Sequence, residues 1–361
     1  MEALDNKCPA CGAKIKFNPK NQKWDCEYCG SKYTLEEMKK YDNASSDEAN
    51  NLDIKLNSSK KLEEMDVYHC KNCGAEVMAD DTTTATFCLY CGSTTILKDR
   101  ITDGIAPSRI IPFKKVKEDA IKSFKELYKG RPLMPKLFND EKNIKKLTGV
   151  YIPFWMYDLN ISGKISFTAK DVKSWSDYDY SYVKTDTYLV KKDGYMDYKG
   201  VLVDGSSRFD DDLMDSLEPF DFKDLVEYNH AYLSGFLAEK YDVDQNKGAL
   251  RANFRAMNTT VNEIESTVGH GSRTVESNNL VVKNNNTDYI LLPVWMVNID
   301  YKNKKYTFAM NGQTGEIVGN IPVDKKKTVI VYLIILVIVF GISLLISVLS
   351  GAKLWESILS Y

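Results

Sequence analysis

The feature that most constrains this chain lies near its end. Residues 329–350, VIVYLIILVIVFGISLLISVLS, number twenty-two and carry no charged side chain. A helix rises about 1.5 Å per residue, so such a stretch reaches roughly 30 Å, the thickness of a bilayer's hydrocarbon core. It predicts a transmembrane helix; the other candidate, a buried core helix, rarely runs this far without polar interruption.

Charge at the flanks sets the expected orientation. Lys325, Lys326 and Lys327 lie in the short basic segment 324–328 before the span, whereas the far side offers Lys353, offset by Glu356. Lysine-rich flanks stay in the cytoplasm, and the opening residues MEALDNKCPACGAK hold no apolar run that would direct export. The expectation is a single-pass protein of the cell membrane, N-terminus cytoplasmic, with residues 351–361 as a short extracytoplasmic tail. Trp355 and Tyr361 are its candidate interfacial anchors. Ser343, Ser347 and Gly351 recur every four residues, a stripe of small side chains that would let a second helix approach closely in the membrane. Serines bonding back to their own helix carbonyls would explain the same spacing.

The eight cysteines all fall before residue 92. Residues 8–31 read CPACGAKIKFNPKNQKWDCEYCGS and residues 70–93 read CKNCGAEVMADDTTTATFCLYCGS, each a CxxC pair, fourteen intervening residues and a second CxxC pair. Cys8, Cys11, Cys26 and Cys29 thus recur 62 positions later as Cys70, Cys73, Cys88 and Cys91. In each CxxCG the two thiolates turn toward one metal and the glycine opens the backbone to the turn, so two knuckles complete a tetrahedral shell of four thiolates. Units of this size bury too little apolar surface to fold alone. A metal worth roughly 10–16 kcal/mol in apparent binding free energy supplies what is missing. Two Zn2+ ions are the expected cofactors, with iron the alternative that such knuckles also hold; a disulfide framework is at odds with a reducing cytoplasm. Both units resemble the zinc ribbons of the transcription factor TFIIB class. That resemblance implies a metal-bound β-hairpin fold and leaves function open, because ribbons serve in polymerases, helicases and adaptors alike.

The expected architecture is multidomain: small four-cysteine zinc ribbons over 1–35 and 67–100, a linker over 36–66, an α+β domain over 101–323, then the basic segment and the span. The linker is rich in Asn, Ser, Asp, Glu and Lys, which predicts flexibility and a first ribbon that moves independently of the second. Within the body, apolar periodicity predicts a helix over 117–128, closed by Gly130 and Pro132. Residues 148–172 read as a strand, a turn at Ser162 and Gly163, and a returning strand, with further strands over 178–190 and 195–203. Helical stretches are expected over 222–227, 231–241 and 244–267, strands over 273–283 and 288–301, and a last hairpin around the NGQTG turn.

Pro153, Trp155 and Met156 precede Pro293, Trp295 and Met296 by 140 residues in matching PxWM motifs. They point to an internal duplication of an α+β unit; chance similarity of two apolar strands is the plainer alternative. Together with the two ribbons, the stretches YIPFWMYDLN, HAYLSGFLAEKYDVD and ILLPVWMVNIDYKNKKYTFAMNGQTGEIVG and the single span resemble the YdjG-type zinc-ribbon membrane proteins of Gram-positive bacteria. The resemblance implies a cytoplasmic, membrane-anchored protein that works with phage-shock-type membrane-stress proteins, and it implies no catalytic residue.

No GxxxxGK[ST] phosphate loop, HExxH, GxSxG or strand-following GxGxxG occurs, so motor, zinc-protease and hydrolase readings lack their motifs. Of the three histidines, His69 adjoins a knuckle whose shell Cys70 already fills, while His230 and His270 stand elsewhere. Asp210, Asp211 and Asp212 read as acids opening a helix rather than a cation site. Tyr178, Tyr180 and Tyr182 read as sheet-face packing rather than base stacking.

The net charge of −2 argues against a global grip on nucleic acid. Even so, the first ribbon interleaves Lys7, Lys14, Lys16, Lys20, Lys23 and Lys32 with Phe17, Trp24 and Tyr33, as phosphate and base contacts would require. The leading expectation is a non-enzymatic scaffold that binds membrane or membrane-associated proteins at the bilayer; a membrane-tethered nucleic-acid binder is the alternative.

Overall fold

The computed structural model describes residues 7–46, 66–70, 74–79, 88, 96–100 and 105–359. The chain opens with three short strands, β1 (Lys16–Asn18), β2 (Lys23–Asp25) and β3 (Lys32–Tyr33), and helix α1 (Leu35–Ser46). Next come β4 (Asp66–Cys70), β5 (Glu76–Ala79), β6 (Ile96–Arg100), β7 (Arg109–Ile110), helix α2 (Lys117–Lys129) and the single turn α3 (Glu141–Ile144). Two long strands, β8 (Thr148–Ser176) and β9 (Ser181–Asp204), lead to the turn α4 (Asp211–Asp215), β10 (Val226–Glu227) and β11 (Leu237–Glu239). Helix α5 (Gln245–Ser266), the long β12 (Ser272–Tyr301), β13 (Lys304–Asn311), β14 (Ile317–Gly319) and helix α6 (Lys325–Leu359) complete the chain.

β1, β2 and β3 form a sheet of their own. Every other strand joins one 11-stranded sheet in the order β10-β7-β12-β8-β11-β5-β4-β6, with β9 on β8 and β13 and β14 beside β12. Its centre alternates as a strand buried on both faces must. Tyr151, Trp155 and Tyr157 of β8 enter one core with Phe113, Phe124 and Phe308, while Val150, Ile152, Phe154 and Met156 enter the other with Met214 and Leu217.

Several sequence expectations fail here for identifiable reasons. Residues 148–172 do not reverse at Ser162 and Gly163; they run on in β8, paired on one side with β12 and on the other with β9. Gly163 serves close approach instead: a Cβ there would lie 2.3 Å from the Asn279 carbonyl oxygen. The two strands expected over 178–203 are the single β9, and those over 273–301 are the single β12, which absorbs register shifts at Val275/Ser277 and Asn284/Asn286. Residues 231–241 are not a helix: a 3-10 turn over His230–Leu233 gives way to β11, with Gly235 at φ 88 breaking the helical path between them. Residues 222–227 likewise divide into a short turn and β10. The start of the expected linker folds as α1, opened by reciprocal bonds between Thr34 and Glu37. Helices α2 and α5 lie over the stretches the sequence marks as helical, and the Asp244 carboxylate caps α5 by accepting from the Asn246 and Lys247 amides.

The two PxWM segments pair with each other, Ile152 opposite Leu292, and each makes the same set of contacts. Trp155 Nε1 donates to the Val243 carbonyl at 2.8 Å just ahead of α5; Trp295 Nε1 donates to the Lys115 carbonyl at 2.9 Å just ahead of α2. The Gly205 amide donates to Pro153 at 2.7 Å and the Gly312 amide to Pro293 at 2.8 Å. The Gly205 carbonyl accepts from Asp242 and Val243, as the Gly312 carbonyl does from Lys114 and Lys115. β11 runs parallel to β8 as β7 runs parallel to β12.

Candidate functional site

Two CxxC knuckles meet at the end of the small β1-β2-β3 sheet. In the first, the Cys8 amide donates to Ala13 at 2.6 Å and the Gly12 amide to Cys8 at 2.8 Å; in the second, Cys26 donates to Ser31 and Gly30 to Cys26, both at 2.9 Å. Gly12 (φ 69) and Gly30 (φ 74) occupy the left-handed region that closes such a turn, where a Cβ would be strained.

The four Sγ atoms of Cys8, Cys11, Cys26 and Cys29 all lie within 4.8 Å of one another, with Cys8–Cys29 at 3.5 Å and Cys11–Cys26 at 3.6 Å. Sulfurs about 2.3 Å from a tetrahedral ion stand about 3.8 Å apart, so the donor set fits one metal. Four thiols this close cannot all ionise unaided. Hydrogen bonding with Ser31 draws the Cys29 thiol down to about 6, whereas Cys11, despite the Ala13 amide, is pushed up to about 12 by partial desolvation and by its three neighbouring thiols. A divalent cation held by these sulfurs would supply the charge that lets all four deprotonate.

At the second unit the structure brings Cys70 and Cys88 together with Ala75, all buried. The Cys70 knuckle repeats the geometry of the first two: Cys70 donates to Ala75 at 2.9 Å, Gly74 donates to Cys70 at 2.8 Å, and Gly74 has φ 69. Cys73 and Cys91 lie outside the described residues. His69 stands 3.4 Å from Glu76.

Neither cysteine unit is a loose bead on the body. Phe17 and Trp24 pack with Tyr232 at centroid distances of 5.0–5.3 Å. Trp24 Nε1 donates to the Ala231 carbonyl at 2.9 Å, Ser234 Oγ to the Ile15 carbonyl at 2.5 Å, and Gln22 Nε2 to the Phe113 carbonyl at 2.8 Å. The expected independent motion of the first unit gives way to docking, because its two largest apolar side chains are buried at this seam. Phe17 and Trp24 are therefore withdrawn from any base-stacking face. β5 pairs with β11, and Arg208 Nη2 donates to the Gly74 carbonyl at 2.9 Å, so the second unit extends the body's own sheet. Sequence reasoning misses the receiving loop at 230–234; its one signal is the apolar run HAYLSGF, whose composition equally suits a helix.

The remaining candidates resolve locally. The Asp210 carboxylate caps α4 by accepting from Leu213 at 3.1 Å, and Asp211 and Asp215 pair with Arg251 of α5. Tyr178 and Tyr180 are not strand residues: they stand exposed in the turn closing β8 and β9, while Tyr182 stacks on Trp175 at 5.6 Å. His270 bonds Asp171 at 2.9 Å and stacks on Tyr188 at 4.2 Å. Lys16 pairs with Glu27 at 3.1 Å.

At the other end, α6 is long and apolar enough to cross a membrane, and its side chains over 328–346 are exposed. Ser343 lies on its exposed length, while Ser347 and Gly351 lie beyond the stretch whose side-chain exposure is described. Its start is tied to the body where the Asp324 amide donates to Leu133 at 2.9 Å and Lys327 Nζ to Met134 at 2.6 Å.

No family model and no solved structure matches this chain. It is 35% identical over 328 residues to the uncharacterized protein YdjG of Bacillus subtilis (strain 168), an alignment that spans 90% of this chain and 92% of the relative. An identity of that depth over nearly the whole of both chains makes this protein a member of the YdjG family.

Proposed function

We propose that this protein is a single-pass scaffold on the cytoplasmic face of the cell membrane, holding protein partners near the bilayer through two four-cysteine zinc ribbons and a duplicated α+β body. The observation that carries this reading is continuity: a cysteine-clustered unit seated on the body at Ala231 and Ser234, and a body tied to an exposed apolar helix at Leu133. Such a chain presents a rigid surface at a fixed place rather than a tethered bead. The second ion is assigned to Cys70, Cys73, Cys88 and Cys91 because the Cys70 knuckle repeats that of Cys8. The matched contacts of Trp155 and Trp295 support the duplication. Burial of Phe17 and Trp24 favours protein partners over nucleic acid. Phage-shock-type membrane-stress proteins are the partner class that the family resemblance implies.

The test is crosslinking in intact membranes followed by nuclease treatment. A partner captured by the full chain, resistant to nuclease and lost when Cys26 and Cys29 are replaced by Ser, would support the scaffold. Capture that disappears with nuclease would move the assignment to a nucleic-acid binder. Release of the chain from membranes by carbonate would end the anchored reading.

A further inference from the structure

We propose that the foot of the body, around the point where α6 leaves it, is a binding surface for anionic phospholipid headgroups; the inference rests on the anchored reading above. Three segments distant in sequence meet there. Residues 131–134 receive the helix start: the Asp324 amide donates to Leu133 at 2.9 Å, and Lys327 Nζ donates to Pro132 at 3.3 Å and Met134 at 2.6 Å. Phe138 packs edge-on against Tyr301 at 5.7 Å and Tyr306 at 5.6 Å, which brings in the β12–β13 turn.

Charge in this foot is one-sided. Across 129–138, 300–306 and 324–327 there are nine cationic side chains against two carboxylates, Asp300 and Asp324, in a chain whose net charge is −2. Lys129, Arg131 and Lys136 are exposed, as are Lys302, Lys304 and Lys305. Lys302 and Asn303 both hold positive φ, at 51 and 59, the conformation of a tight hairpin turn that glycine or asparagine usually fills. Lys302 places its Nζ 5.0 Å from the centre of the Tyr301 ring.

Position selects the ligand. The cations lie on segments that meet at the base of a helix whose exposed apolar side chains begin at Val329, so crossing a bilayer brings this foot toward the headgroups, whose attraction reaches about a Debye length, about 8 Å at physiological ionic strength. Clusters of four to eight basic residues so placed bind anionic lipid, and Leu137, 39% exposed, adds an apolar contact at the same rim.

The experiment reconstitutes the full chain in nanodiscs of phosphatidylcholine alone or with about a third phosphatidylglycerol, and follows amide exchange over 129–138 and 301–306. Severalfold slower exchange in the anionic discs, erased by high salt and absent from the triple variant Lys302→Gln, Lys304→Gln, Lys305→Gln, is the expected result. Exchange in the core of β8 and β12 verifies that the variant is folded. Equal exchange in both discs, in a chain that has inserted, would overturn the headgroup site while leaving the anchor standing. Protection by inorganic phosphate in phosphatidylcholine discs would assign the cations to a soluble anion and overturn it as well. A chain that stays out of both discs would overturn anchor and site together.

Discussion

Trp24 gives its indole Nε1–H to the carbonyl of Ala231 at 2.9 Å, and with that bond a cysteine unit near the N-terminus is keyed into a loop more than two hundred residues away. Its ring is 1% exposed and packs against Phe17 and Tyr232. Trp24→Ala should therefore lower the unfolding free energy by about 3–5 kcal/mol, the usual cost of emptying a buried aromatic site. Trp24→Phe should cost about 1–3 kcal/mol, because the Ala231 carbonyl loses its donor while most of the packing remains. Denaturant titration in detergent measures both.

Replacing Cys26 and Cys29 with Ser removes half of a four-sulfur shell whose members lie within 4.8 Å of one another. Elemental analysis should show bound metal falling from two ions per chain to one, and the same measurement tells zinc from iron. An unchanged content of two would refute the ligand assignment.

Asp204 gives the body a defined pH response. Burial raises its carboxyl to about 6, and Arg251, 2.6 Å away, offsets that only in part. The unfolded chain releases this proton near 3.9, so between about pH 4 and pH 6 the folded state binds more protons and stability falls as pH rises. Above that window the contribution is flat, at a loss of about 3 kcal/mol by linkage. Asp204→Asn, which removes the titrating carboxyl, should abolish the fall. Unfolding midpoints across pH 4–7 give the comparison.

Gly163 distinguishes a continuous strand from a hairpin turn. With φ at 143 and a Cβ position 2.3 Å from the Asn279 oxygen, Gly163→Ala should force β8 and β12 apart, costing about 1–3 kcal/mol and speeding exchange of the amides around it. At a solvent-facing turn the same change would leave exchange in β12 untouched.

What can be read in the sequence divides by the range of the forces involved. The spacing of the first four cysteines, the apolar stripe of α2 and the helix over 244–267 are local, and the structure places them where the residues indicate. Ser162–Gly163 misleads because its composition suits a reversal, while the actual demand on Gly163 comes from Asn279 on another strand. HAYLSGF misleads because its apolar side chains serve the cysteine unit, and Ser234 reaches Ile15 rather than its own turn. The PxWM recurrence is visible, but nothing within either copy says that Ile152 lies opposite Leu292. At the end of the chain, the length and apolarity of α6 are legible from a single stretch.

The unbroken run of β8 has a mechanical consequence. Its first residue pairs with Met296, close to the hairpin at the foot, and its last closes the turn bearing Tyr178. At about 3.3 Å per residue that is on the order of 90 Å of contour, stiffened by a neighbour on each side for most of its length. Whatever meets the aromatic tip is held at arm's length from whatever meets the base. The paired strand acts as a strut that keeps the two ends of the body apart.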